Sequence, residues 1–137
     1  MLAAGLGLRE KLFVGAFWTV GLTKISLLDF RNIAIENITV QEIYLYGNKV
    51  EVIKGLENLT NLTKVELSKN LLTTFPKLPK SLWTADFRFN PIQVLDMNLI
   101  PESMDFLNIG YNKIHTIIPA KENANHQLKK LDLTFNN

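Results

Sequence analysis

Apolar and polar positions alternate along this chain in one frame that recurs five times. Val40-Gln41-Glu42-Ile43-Tyr44-Leu45-Tyr46-Gly47-Asn48 reads apolar-x-x-apolar-x-apolar-x-x-Asn. The frame returns at Leu62, Val65, Leu67 and Asn70, at Leu82, Ala85, Phe87 and Asn90, and at Met104, Leu107, Ile109 and Asn112. Its fifth occurrence is Leu128, Leu131, Leu133 and Asn136. Successive asparagines are 22, 20, 22 and 24 residues apart, a period that belongs to repeat architectures. Within each frame the x-apolar-x-apolar-x stretch has period two, which predicts a short strand with one buried face. Ile43 and Leu45 point inward and Tyr44 and Tyr46 outward; Val65 and Leu67 repeat the pattern, with Glu66 and Ser68 outside.

One such strand cannot bury its apolar face alone, so the copies stack side by side over a continuous core. About a dozen residues separate successive strands, enough for the crossover that parallel pairing needs. The predicted fold is therefore an α/β-type repeat solenoid. It has a parallel sheet, one short strand per 20–24-residue repeat, and helical, 3-10 or extended arcs. The chain must turn sharply after each strand, which leaves backbone amides and carbonyls inside the coil. A side-chain amide carries both donors and acceptors, so Asn48, Asn70, Asn90, Asn112 and Asn136 are expected to form a structural ladder that pairs with them. Val50, Leu72, Ile92 and Ile114, two residues after an asparagine, continue the core. The arc Lys54–Leu62 has apolar residues three apart and suits a short helix or 3-10 turn. Phe75–Leu82 contains Pro76 and Pro79 and should run extended. Pro101 and Pro119 mark the later arcs.

The stretch Ile53–Leu67 resembles the intracellular leucine-rich repeats of protein phosphatase 1 regulators. Phe75–Leu82 is similar instead to the short proline-containing repeats of bacterial effectors and of protist receptor-kinase ectodomains. The likeness covers about residues 40–137. It implies a curved, horseshoe-like solenoid whose concave sheet binds proteins, with no catalytic activity in this segment. Residues 25–35 hold a degenerate first frame: Ile25, Leu28 and Phe30 fit, but Ile33 stands where asparagine is expected. Residues 25–137 are thus read as the solenoid, degenerate at its start. The last frame stops at Asn137 with an apolar end and a strand edge, which reads as a truncation or fragment.

Residues 1–24 form a separate apolar segment. Arg9, Glu10 and Lys11 precede a run from Leu12 to Leu22 broken by Gly15, Thr19 and Gly21. It is too short to span a bilayer and lacks an A-x-A-like cleavage site after it. Leu2, Leu6, Phe13, Phe17 and Val20 share one helical face, so a helix covering the first repeat is expected, with a weak signal or anchor as the alternative.

Composition narrows the chemistry. The chain has 137 residues, 47% of them apolar and 20% charged, as in globular domains. Its net charge of +2 comes without a basic stripe, which argues against nucleic-acid binding. The absence of cysteine excludes disulfides, thiolate zinc sites and thiol catalysis, and leans towards the cytoplasm. Three N-glycan acceptor sequences, at Asn37, Asn58 and Asn61, lean the other way, towards secretion or the cell surface; chance predicts roughly one and a half.

Outward positions line up in columns: Tyr44, Glu66, Asp86, Asn108 and Asp132; then Tyr46, Ser68, Arg88, Gly110 and Thr134; then Gly47, Lys69, Phe89, Tyr111 and Phe135. Trp83 and Phe106 stand at earlier outward positions. Aromatic and arginine side chains are the usual binding anchors. Tyr44, Tyr46, Trp83, Asp86, Arg88 and Phe106 are therefore the candidate partner-binding residues, while Phe89, Tyr111 and Phe135 are expected to stack on one another as structure. Glu66, Asp86 and Asp132 share a column, but no histidine joins them and a flat sheet offers no pocket, so no enzyme is expected. His115 and His126 lack ligand spacing, and Gly5-Leu6-Gly7 lacks the rest of a phosphate loop. No cofactor or metal is implied. The function expected is a non-catalytic interaction scaffold with another protein as partner. The alternative is the ectodomain fragment of a membrane receptor that recognises an extracellular ligand.

Overall fold

The structure, a computed structural model, describes residues 41–47, 49–53, 55–125 and 127–137. The segment 1–24, the degenerate frame at 25–35, Asn37, Asn48 and His126 lie outside the described residues. Five strands form one parallel sheet in chain order: β1 (Glu42–Tyr44), β2 (Lys64–Glu66), β3 (Thr84–Asp86), β5 (Phe106–Asn108) and β7 (Lys130–Asp132). β4 (Val94–Asp96) and β6 (Thr116–Ile118) pair with each other, also in parallel, within the arcs. The result is a repeat solenoid of the expected class, with one principal strand per turn and, among the described residues, only 3-10 helix between strands.

The period-two pattern explains each strand. Every principal strand places one apolar residue inward between two outward ones, and the register never slips: Ile43, Val65, Ala85, Leu107 and Leu131 oppose one another in sequence. A slip of one residue would turn the whole apolar set towards solvent, so burial locks the register. Leu45, Leu62, Leu67, Leu82, Phe87 and Ile109 extend the core and are fully buried. Each such side chain contributes about 1.5–3 kcal/mol on burial. Phe75, from the proline arc, meets Phe87 with ring centroids 5.1 Å apart and tilted by 53°. Leu128, Leu131 and Leu133 are only half-buried and pack against the core from the β7 side.

After each strand the residue preceding the asparagine turns the chain with a positive φ: Gly47 at 71°, Lys69 at 55°, Phe89 at 57°, Tyr111 at 55° and Phe135 at 55°. Only Gly47 adopts this conformation freely; for the others it costs about 1–2 kcal/mol each. The asparagine side chain satisfies the groups that the turn exposes inside the coil. Asn90 Nδ2 donates to the carbonyls of Leu67 (3.0 Å), Phe87 (3.0 Å) and Arg88 (3.3 Å), while its Oδ1 accepts from Leu72 N at 3.0 Å. Asn70 does the same with Leu45, Leu67 and Ser68, accepting from Val50 N. Asn112 bonds Phe87, Ile109 and Gly110, accepting from Ile92 N, and Asn136 bonds Ile109 and Leu133, accepting from Ile114 N. Each amide therefore ties its own turn to the preceding one.

The arcs differ as their residues dictate. Leu56–Asn58 is a 3-10 turn entered through Gly55, whose φ of 91° suits glycine. Residues 75–79 contain no helix, as two prolines three apart require. Met97–Leu99 is a second 3-10 turn, capped by the Asp96 carboxylate, which accepts from Asn98 N. A further ladder was not foreseen. Ser81 Oγ donates to Leu59 O and Leu62 O, and Ser103 Oγ to Lys80 O and Leu82 O, joining successive arcs just before the strands.

Asn90 is buried and makes four bonds across two turns, so Asn90→Ala should lower unfolding stability by roughly 2–4 kcal/mol, because several backbone groups lose partners at once. Asn90→Asp keeps the acceptor and loses the donor, and should be no better. Urea titration with the slope held common checks both; a change within about 0.5 kcal/mol would contradict the role given to the ladder.

Candidate functional site: the outer face of the sheet

The shared register turns single residues into columns. Glu42, Lys64, Thr84, Phe106 and Lys130 face one another, and so do Tyr44, Glu66, Asp86, Asn108 and Asp132. Hydrogen bonds linking Gly47 N to Ser68 O, Lys69 N to Arg88 O, Phe89 N to Gly110 O and Tyr111 N to Thr134 O extend the alignment to the next two positions. Five of the six expected partner-binding residues thus stand on this one face beside or within their strands, and Trp83 directly precedes β3. Trp83 and Phe106 do not share a column. Phe106 faces Thr84, and Trp83 lies one position earlier, between Thr63 and Asp105.

Trp83 is 57% exposed. Tyr44 and Phe106 are half-buried, Tyr46 is exposed, and each lies beneath a lysine. Lys64 Nζ lies 4.9 Å from the Tyr44 ring centroid, Lys69 Nζ 5.1 Å from Tyr46, and Lys130 Nζ 5.2 Å from Phe106. Lys69 also sits 5.7 Å from Phe89. Such contacts at exposed sites contribute about 0.5–1 kcal/mol each. The Tyr44 side chain, ahead of the acids at 42 and 66, raises the Lys64 pKa above its ordinary value.

Phe89, Tyr111 and Phe135 stack, with centroid separations of 4.4 and 4.5 Å and interplanar angles of 17° and 19°. Parallel strands are about 4.8 Å apart, close to a ring-stacking distance, so a column of aromatics in register stacks without distortion. Each pair adds roughly 0.5–1.5 kcal/mol, comparable to the backbone cost of the positive φ at the same residues.

The middle column has a local role that its sequence position did not suggest. Glu66 Oε1 accepts from Ser68 N, Asp86 Oδ1 from Arg88 N, Asn108 Oδ1 from Gly110 N and Asp132 Oδ1 from Thr134 N, at 2.8 to 3.2 Å. Each side chain caps the amide two residues on, where the strand gives way to the turn. An acceptor at i with a small or polar residue at i+2 was the available signal. Asp86 is further committed to Arg88, whose Nε and Nη2 donate to both carboxylate oxygens, with Nη2 to Oδ2 at 2.6 Å. This contact raises the Arg88 pKa, so the guanidinium is charged at every accessible pH. Glu66, Asp86 and Asp132 thus each cap an amide of their own strand end. Gly110 leaves the floor beside Arg88 low: a Cβ there would lie 3.0 Å from Thr134 Oγ1 and 3.1 Å from Thr134 O.

Away from this face, a hollow of about 650 Å³ lies among the arcs, lined by Glu57, Lys77, Lys80, Ile100, Glu102 and Ser103. Among the described residues no group of three or more His, Cys, Asp or Glu side chains could hold a metal ion. None of their helices is long and apolar enough to cross a membrane. Asn58 and Asn61 are both exposed on the arc side.

Residues 38–80, about a third of the chain, match the family described as Leucine Rich repeats (2 copies). No curated protein matches the chain. The match falls on the first two complete frames, so residues 38–80 are a leucine-rich-repeat segment, and the same register and asparagine bonding continue through Asn136. Domains of this kind are in general protein-interaction modules without enzymatic activity.

The Asp132 carboxyl is held below the ordinary carboxylate pKa, first by the Thr134 amide and then by the Thr134 hydroxyl, which donates at 2.8 Å. Its folded pKa is depressed, so its stabilising effect is present above the unfolded pKa and is lost as pH falls through the folded value. A carbon-detected NMR titration should place Asp132 below an unfolded reference, and Thr134→Val should move it part of the way back. An unmoved midpoint would show that the hydroxyl has no such effect.

Proposed function

We propose that this chain is a non-catalytic scaffold that binds a partner protein on the outer face of its five-stranded sheet. Trp83 and Arg88 are the central anchors. The observation that carries this reading is their position: both flank β3, the middle strand of five, and one is an exposed indole while the other is a guanidinium fixed in direction by Asp86. Binding energy concentrates near the centre of an interface and in Trp, Tyr and Arg side chains. Tyr44, Tyr46 and Phe106 lie around these two and supply contact area. Asp86 acts through Arg88, holding its fork in place.

A photo-activatable residue at Thr84, on the sheet face, should cross-link a partner in the native cell, and the same group at Thr73, on the arc side, should not. Trp83→Ala combined with Arg88→Ala should weaken capture at least about a hundredfold while the far-ultraviolet spectrum and urea midpoint stay close to those of the parent. Equal cross-linking from both faces, or capture undiminished in the double variant, would sink the assignment.

The exposure of Asn58 and Asn61, with Thr60 and Thr63 also exposed, favours a second reading in which the chain is part of a receptor ectodomain. Glycans there would project from the arcs and leave the sheet face open. A fall in mass on N-glycan removal from the native protein would support this reading, and an unchanged mass would refute it.

A further inference from the structure

Cations and aromatics on the sheet face are matched in a way that leaves one ring open. Tyr44, Tyr46 and Phe106 each have a lysine over the ring, and Phe89 has Lys69 on one side and Tyr111 on the other. Trp83, the residue whose ring system attracts cations best, has neither a cation nor a ring partner among the described residues. The cations of the face are already engaged: Lys64, Lys69 and Lys130 on rings, Arg88 by Asp86, and Lys129 by Asp105 at 2.8 Å.

Two of the anions are not. Glu66 and Asp132 accept only from neutral donors of their own strand ends, Ser68 N for the first and Thr134 N and Oγ1 for the second. Neither makes an ion pair among the described residues, although Lys64 and Arg88 lie within electrostatic reach of Glu66, and Lys130 and Arg88 within reach of Asp132. They stand in the middle column on either side of the Asp86–Arg88 pair.

From this we infer that the occupant of the sheet face is a basic, extended protein segment, with one arginine or lysine laid on the Trp83 indole and others meeting Glu66 and Asp132. The inference rests on the reading that a partner binds this face. Arg88, with Nε and Nη2 held by Asp86, offers Nη1 to backbone carbonyls of the segment and repels a cation placed directly over it, so the docked cation lies on the Trp83 side of the middle column. Glu66 and Asp132 are three strand steps apart, roughly 14 Å, which an extended segment covers in about four residues. A segment crossing the strands can therefore reach both carboxylates and pass Trp83.

The test uses the full chain and three short peptides blocked at both ends: alternating Arg-Gly, alternating Glu-Gly and alternating Ser-Gly. Amide and indole chemical shifts are followed in a Trp18→Phe background, so that the indole signal belongs to Trp83. Arg-Gly peptide should shift the Trp83 indole and the Ser68 and Thr134 amides. Its dissociation constant should rise at least about tenfold in Trp83→Leu and in Glu66→Gln with Asp132→Asn. The amide variants keep the capping acceptor, as Asn108 shows at the same position, so the fold is retained. Trp83→Tyr should bind nearly as the parent does. The inference is overturned if Arg-Gly peptide causes no shift, if Trp83→Leu binds it equally well, or if Glu-Gly peptide moves the same signals. The last result would leave the sheet-face reading intact and reverse only the charge of the partner. Shifts confined to the arc residues would overturn both.

Discussion

A sharp turn after every strand points backbone carbonyls and amides into the coil, where water cannot reach them, and the rest of this structure depends on how those groups are satisfied. One asparagine per repeat supplies the answer. Its amide nitrogen bonds carbonyls of its own turn and of the one before, and its oxygen accepts the amide of the residue two beyond the previous asparagine. An unpaired buried backbone group costs about 1–3 kcal/mol, so several per repeat would exceed the stability of an ordinary domain. Because each amide reaches backwards, the same bonds that close a turn also set the distance and register of its neighbour.

Register in turn creates the surface. With strands about 4.8 Å apart and no slip between them, each outward position becomes a column across the sheet. Phe89, Tyr111 and Phe135 stack only because their rings occupy one column at that spacing. The capping carboxylates and Asn108 share another, and the Asp86–Arg88 pair sits at its centre. The face is therefore a by-product of the turn chemistry on which side chains of any kind can be displayed. This is why a repeat of this type defines a binding surface without defining what binds.

The strand positions, their parallel order and the alignment of columns were legible because they rest on one spacing repeated five times. The 3-10 turn at Leu56–Asn58 and the helix-free proline arc followed from local residue chemistry. The β4–β6 pair did not. Val94-Leu95-Asp96 and Thr116-Ile117-Ile118 each begin four residues after a frame asparagine, but they share no period-two apolar pattern: Leu95 is buried, whereas Thr116–Ile118 is exposed throughout. Ser81 and Ser103 were overlooked although both directly precede the first apolar residue of a frame. The lysine caps on Tyr44, Tyr46 and Phe106 were hidden for a different reason. They join residues on different strands through long side chains, and a column lists its members without saying which way they lean. The sequence places the carboxylates at 66, 86 and 132 in one column; their capping of the amide two residues on is a local i to i+2 relation that a column does not display.

Residue-resolved hydrogen exchange tests the central claim most directly. If side-chain amides hold the turns together, the Leu72 and Ile92 amides, bonded to Asn90 and Asn112, should exchange among the slowest in the chain, on a par with strand amides. Exchange of Leu72 and Ile92 as fast as that of exposed arc amides would contradict the account, since the asparagine bonds would then be opening without disturbing the fold.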